Sequence, residues 1–439
     1  MADIEPSKPA IADADYTIRV SSPYLLGTYL AINAIPDAYL LLDGPNCFPL
    51  KSPAIQGNHD WGSTLTNVSG YQRTLTTHAH PSNVVFSRRD VILESIESIT
   101  AYEGCGGLFV TARPMASLTG EDYEAIVRDG RPRGEKQVFY VAPKSLSSNW
   151  LGGYEQALLS LAEKLVLGTP APVKDEVAIV GYMFDRHEGD HAANLRELSR
   201  YFEALGLRLR TVWLSGQGLG DLASIRHASA IVSLPYGRKA ARCLGERLGV
   251  PVVETCLPFG LQATQNFLRE VGAALDRSAR AEELIDRELS DVVPKLEWVV
   301  PFVFQNAAVG FIGDPNHVRG LQDILGTLGA RLSFAFVTGH PRQLPPQLAG
   351  ELCGDPAILS FDPTQRELLS VIGQQIRDRG LDLVVACNTG VKLGHVPTFE
   401  FGYPSYFTHA LAPRPFLGFA GCLAFVDTMA NTIRHAQLY

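Results

Sequence analysis

Short apolar runs recur along the chain, each followed by a Gly- or Pro-bearing turn and then by a stretch with helical spacing. Residues 38–42 (AYLLL) read as a buried strand ending in the turn Asp43-Gly44-Pro45-Asn46-Cys47. Residues 107–111 (GLFVT) and 137–141 (QVFYV) read the same way. Leu118–Val127 predicts a helix with Glu121 and Asp122 in its first turn. Tyr154–Leu167 predicts another, apolar at Ala157, Leu158, Leu161 and Leu165.

The pattern continues with strands at 176–180 (EVAIV), 208–213, 230–234 (AIVSL) and 250–254 (VPVVE), and with helices at 192–205 and 239–248. A helical linker over 261–296 leads to strands at 308–312 (AVGFI), 332–337 and 381–386 (LDLVVA). A helix over 318–328 and an apolar C-terminal helix over 420–433 complete the set. Strands and helices alternating at these lengths mean parallel, doubly wound sheets. The fold class is therefore α/β, with three Rossmann-like parallel-sheet domains over 1–170, 171–297 (including the linker) and 298–439. In such sheets ligands sit beyond the strand C-termini. That rule singles out the turns at 44–47, 111–115, 233–237 and 387–390.

Composition narrows the function. With 439 residues, 46% apolar and 19% charged, the chain can build several cores. A net charge of −8 argues against nucleic-acid binding. Residues 1–15 lack the apolar core of a signal peptide, and no apolar run of about 18 residues reads as a membrane span, so the expected location is the cytoplasm. The seven cysteines are far apart and none forms a CxxC pair, which speaks against a disulfide framework or a self-contained metal site. Any metal site must gather ligands from distant segments or another chain. The phosphate loop GxxxxGK[ST] is absent, so ATP is not expected to bind here. The GxSxG elbow, the HExxH motif and a Rossmann Gly fingerprint are absent too.

A few residues carry candidate chemistry. Cys47 ends a Gly-containing turn, where backbone can approach a cluster and offer N–H groups to its sulfides; the alternative is a buried structural thiol. Asn58, His59 and Asp60 (GNHDWG) follow that loop as a capped turn. His78 and His80 (THAHP) read as solvated loop residues, and Arg88, Arg89 and Asp90 (FSRRD) as a solvated helix start. Arg113 could hold an anion or pair a buried carboxylate. Cys105, Cys243, Cys256, Cys353 and Cys422 are expected to pack in elements, with Cys387 a weaker ligand candidate.

Four segments together resemble the nitrogenase component 1 superfamily, over nearly the whole chain. Residues 21–47 (SSPYLLGTYLAINAIPDAYLLLDGPNC) are similar to the family's segment with a CxPLG-like start and an HGxxGC-like end. Residues 108–124 (LFVTARPMASLTGEDYE) look like its strand, ligand turn and helix start. Residues 309–328 (VGFIGDPNHVRGLQDILGTL) and 401–431 (FGYPSYFTHALAPRPFLGFAGCLAFVDTMAN) look like third-domain segments of its β-type subunits.

The resemblance implies the nitrogenase component 1 fold and places Cys47 on a family cluster ligand. Ser22 and Pro114 stand where two further cysteines would be, with Gly44 and Arg113 beside the site. Asp60 and His59 are weaker metal candidates. Ser233 lies about where the cofactor-holding Cys of α-type subunits would fall. It further implies an iron–sulfur cluster, [4Fe–4S] or larger, shared across a subunit interface. A paralogous α-type subunit would supply most ligands, and a homodimeric ATP-dependent iron–sulfur reductase would dock transiently. The expected function is that of a β-type subunit of a nitrogenase-like reductase acting on a small molecule. A cofactor-assembly scaffold subunit and a cluster-free structural or regulatory subunit are the alternatives.

Overall fold

The computed structural model describes residues 22–46, 54–66, 72–80, 82, 86–389, 393 and 396–438. It contains three parallel sheets. The first takes β1 (Ala38–Asp43), β2 (Thr74–Thr76), β3 (Gly107–Ala112) and β4 (Gln137–Tyr140) in the order β2-β1-β3-β4. The second takes β5 (Glu176–Val180), β6 (Arg208–Val212), β7 (Ala230–Ser233) and β8 (Val252–Glu254) in the order β6-β5-β7-β8. The third takes β9 (Ala308–Gly313), β10 (Arg331–Val337), β11 (Ile358–Phe361), β12 (Leu383–Ala386) and β13 (Thr398–Glu400) in the order β11-β10-β9-β12-β13. The central strands β1, β3, β5, β7, β9 and β12 are buried at every position. They are covered on both faces, which is why they read as unbroken apolar runs rather than alternating ones.

The helices of ten or more residues are α1 (Tyr24–Asn33), α2 (Arg89–Thr100), α3 (Trp150–Lys164), α4 (Gly189–Ala204), α5 (Arg238–Leu248), α6 (Leu261–Ala274), α7 (Ser278–Glu297), α8 (Pro315–Thr327), α9 (Gln365–Arg379) and α10 (Gly418–Ala436). Two expectations change. The helix over 118–127 is two short ones, Pro114–Ser117 and Tyr123–Asp129, because Gly120 takes φ +77° and Asp122 caps the second by accepting from the Ala125 N–H. The linker over 261–296 breaks into α6 and α7 at Asp276, whose φ is +56°.

The sequence pattern does not show α1, because all ten of its residues are buried and it has no polar face to give a period. It lies against α3 with almost no space between the backbones. A Cβ on Gly27 would overlap the Trp150 carbonyl, and one on Gly153 the Tyr24 carbonyl. One apolar cluster runs from Tyr24 to Ile433 and draws on all three sheets, so the domains share a core. No described helix is long and apolar enough to cross a membrane.

Candidate functional site

The C-terminal ends of β1 and β3 lie side by side, with Asp43 opposite Ala112. The Arg113 N–H donates to the Asp43 carbonyl at 2.9 Å, which brings Gly44, Arg113 and Pro114 to one corner of the first sheet. Gly44 has φ +145°, and a Cβ there would stand 2.8 Å from Arg113 Cδ. The glycine therefore makes room for the arginine stem. Arg113 is 8% exposed, yet its Nε and Nη2 have no hydrogen-bond partner among the described residues. Two unpaired donors on a buried guanidinium are costly to keep without an acceptor. Pro114 opens the short helix that follows.

Behind this corner, Asp43 is fully buried and satisfied. Its Oδ1 accepts from Arg88 Nε at 2.7 Å and from the Thr77 hydroxyl at 2.6 Å, and its Oδ2 accepts from the Tyr123 hydroxyl at 2.7 Å. The Thr77 hydroxyl oxygen in turn accepts from the Gly44 N–H at 3.0 Å. Arg88 is thus a buried ion-pair residue, not the solvated helix start its sequence setting implies. Arg89 is partly exposed and pairs with Asp129.

Ser22 sits just before α1, where its carbonyl accepts from the Trp150 N–H at 3.1 Å. Cys47 lies outside the described residues. Of the other cysteines, Cys105, Cys387 and Cys422 are buried, and burial pushes the Cys387 thiol up to about 12. Cys353 is exposed, contrary to the packing expected of it. His78 and His80 are exposed.

His59 and Asp60 do sit in a turn, but the turn is not at the surface. Both are fully buried in a polar seam joining the three sheets. Asp60 Oδ2 accepts from Asn33 Nδ2 at 2.6 Å and contacts His187 Nδ1 at 2.8 Å, while Oδ1 accepts from the Gly62 N–H. Burial pushes this carboxyl up, but the His187 hydrogen bond and charge outweigh it and hold the group below its ordinary range. His59 Nδ1 accepts from the Ser405 N–H at 2.8 Å. Its Nε2 lies 3.0 Å from Asp185 Oδ2 without hydrogen-bond alignment.

Asp185, just beyond β5, is the hub of that seam. Its other oxygen meets His191 Nε2, and His191 Nδ1 contacts the Tyr182 hydroxyl at 2.8 Å. Burial would raise the Asp185 carboxyl, but the two histidines hold it well below the usual range; Asp185 and Asp190 conversely raise His191 against its own burial. Further clamps are Tyr236 to Asp314 at 2.8 Å and His409 to Glu188 at 2.6 Å.

Of these groups Tyr182, Asp185, His191, Tyr236 and Asp314 border a small cavity of about 30 Å³, lined also by Trp150, His317, Phe401 and Tyr403. That is room for about two water molecules. Among the described residues no group of three or more His, Cys, Asp or Glu could hold a metal ion, so the seam is a hydrogen-bonded array. Sequence reasoning missed Asp185, His191 and His317. The signal was present in residues 185–191 (DRHEGDH), a titratable run directly after a buried strand.

The comparisons with known proteins agree with this architecture. Residues 24–434 match the family profile described as Nitrogenase component 1 type Oxidoreductase. The nitrogenase molybdenum-iron protein alpha chain of Methanothermobacter thermautotrophicus is 26% identical over 371 residues, covering 81% of this chain and 74% of its own. The nitrogenase molybdenum-iron protein beta chain of Methanococcus maripaludis is 23% identical over 402 residues, covering 81% of this chain and 83% of its own. A solved structure, "Nitrogenase Cp1 at pH 6.5", superposes with a TM-score of 0.79 at 17% identity over 99% of this chain and 95% of that one, a likeness of fold. The chain belongs to the nitrogenase component 1 type oxidoreductase family.

Proposed function

We propose that this chain is the β-type subunit of a nitrogenase-like reductase, sharing an iron–sulfur cluster with a paralogous α-type subunit through Cys47. The observation that carries this reading is the corner of the first sheet. Gly44 and Arg113 meet there beside the turn that leads to Cys47, and Arg113 presents buried donors that lack an acceptor. That donor set fits an anionic cluster, whose sulfides and thiolates accept N–H groups. When bound, such a cluster supplies one-electron redox chemistry. The chain's own part is to give the Cys47 thiolate, to bring backbone close at Gly44, and to offset negative charge with Arg113. Ser22 and Pro114, standing where ligands are expected, leave the remaining ligands to the partner.

The matched relatives include alpha and beta chains alike, so they do not decide the subunit type. The cavity inside the polar seam, as distinct from the open surface clefts, favours the β-type reading. At about 30 Å³ and walled by aromatic rings, it has no room for a large cofactor, which would then belong to the partner. A homodimeric ATP-dependent iron–sulfur reductase is the proposed electron donor, and the reduced substrate is a small molecule.

The test is iron, acid-labile sulfide and electron paramagnetic resonance on anoxically purified protein, with and without its co-purifying partner, for the natural chain and Cys47→Ala. Iron that requires the partner and falls in the variant is expected. Iron unchanged in Cys47→Ala, or absent from every sample, overturns the reading. A bound cluster precursor with no turnover would move the chain to the assembly-scaffold role.

A further inference from the structure

A second site stands apart from the cluster corner and does not depend on it. An open cleft of about 450 Å³ lies where the three domains meet at the surface, a size typical of small-molecule sites. Its walls come from the start of α3, the start of α5, and the residues following β10. In a chain of net charge −8 the cleft is strongly basic. Lys144, Arg238, Lys239, Arg242 and Arg342 line it against only Glu155 and Glu254, an excess of three positive charges.

The internal pairings do not remove that excess. Lys239 pairs with Glu155 at 2.6 Å, and Arg242 makes a two-point contact with Glu254. Lys144 meets only the neutral Gln156 amide, at 2.8 Å. Arg238 spends its donors on the Ser233 and Thr255 carbonyls and lies 4.0 Å from Glu254, which fixes it in the wall. The Arg342 guanidinium has no carboxylate partner among the described residues. Three of these cations also fall in the first turns of α5, where the helix dipole is already positive, and no side chain caps that end. Folding alone does not favour cations there.

An independent feature points to the same chemistry. The cleft opens into an adjoining hollow that shares Ser147, Ser148 and Arg342 with it. Asn149 lines that hollow together with the Asp362 carboxylate, which offsets one of the cleft's positive charges, and Asn149 is only 6% exposed. Its Oδ1 caps α3 by accepting from the Leu151 and Gly152 N–H groups, which leaves Nδ2 as the only end able to donate. That Nδ2 has no partner among the described residues. Unpaired cations and an unpaired buried donor together call for an acceptor of several negative charges.

We infer that this cleft binds a small polyanion carrying two or more phosphate or carboxylate groups, with Lys144, Arg342 and the α5 cations as its charge partners and Asn149 as a neutral donor. The test is calorimetric titration of the full chain with pyrophosphate and, separately, with citrate, at about 50 mM salt, where surface electrostatics are weakly screened. Saturable binding at one site per chain is expected. In the Lys144→Gln/Arg342→Gln double variant the affinity should fall about tenfold or more, since two charge-assisted contacts are lost. Both side chains are exposed, so the fold is not at risk. Lys174→Gln, an exposed cation elsewhere, should bind as the natural chain does. Binding of pyrophosphate alone assigns a phosphate-bearing ligand, and binding of citrate alone a polycarboxylate. Binding of neither anion overturns the inference. So does equal binding by the double variant, or equal weakening by Lys174→Gln.

Discussion

Arg88 and Asp43 form an ion pair 2.7 Å apart with side-chain exposures of only 5% and 0%. Asp43 ends β1, so this pair fixes the strand end from which the chain turns toward Cys47. A buried pair of this kind adds little net stability against an apolar replacement, but breaking it leaves an uncompensated charge. Arg88→Met is therefore expected to destabilise the chain by about 3–5 kcal/mol. The double variant Arg88→Met/Asp43→Leu should recover much of that loss, although the Thr77 and Tyr123 hydroxyls then lose their acceptor. Urea unfolding of the single and double variants checks this; a single variant as stable as the natural chain would falsify it.

Arg113 predicts effects of opposite sign on two readouts. In the metal-free chain its unpaired Nε and Nη2 are a burden, so Arg113→Met should raise the unfolding free energy by about 1–3 kcal/mol. In the anoxic complex the same change removes donors proposed to face an anionic cluster, so iron content should fall. Loss of stability in the metal-free variant, or iron retained in the complex, speaks against that assignment.

Gly44→Ala tests the close approach directly. The substitution puts a Cβ 2.8 Å from Arg113 and strains a backbone at φ +145°. Strain at such a position costs about 1–3 kcal/mol. Gly57→Ala is the matched control, because φ there is +76° and a Cβ meets nothing. The prediction is that iron content falls in Gly44→Ala well beyond any fall in Gly57→Ala. Equal behaviour of the two would remove the steric argument.

The two halves of the candidate site differ in how legible they are from sequence. The strands β1, β3, β5, β7, β9 and β12 are visible because a strand covered on both faces leaves an unbroken apolar run. The corner at Gly44 and Arg113 follows from knowing which strand ends lie side by side, and the resemblance supplied that. The helix α1 hides because full burial erases its period. The strands β2, β11 and β13 hide because they are short, partly exposed and mixed with polar residues, so they leave no unbroken apolar run. The seam escapes for another reason. His59 and Asp185 are separated by more than a hundred residues, and only tertiary packing reveals that a turn histidine ends beneath a carboxylate of the second sheet. Arg88 misleads in the same way, since its charge reads as solvated until Asp43 is seen to be buried beside it.

The seam also predicts a pH dependence of stability with two opposed limbs. His191 is raised above its ordinary value of 6.5 by Asp185 and Asp190, against its burial and against Arg186. Its contribution is complete below pH 6.5 and is lost as pH rises through the folded value. His317 is lowered from 6.5, chiefly by burial, with Asp314 and Asp185 opposing. It is packed among Phe259, Phe401 and Phe416. Keeping it neutral costs stability as pH falls below 6.5 toward its folded value. The depressed Asp60 and Asp185 carboxyls add a further loss only below their ordinary value of 3.8. Unfolding free energy should therefore peak near pH 6.5 and decline on both sides. His317→Phe should flatten the acid limb above the carboxyl range, and His191→Gln should flatten the alkaline limb while leaving the acid one in place. Urea titrations across that range, run on the natural chain and both variants, decide it. A profile whose limbs do not respond separately to the two substitutions means that these histidines do not titrate as the seam requires.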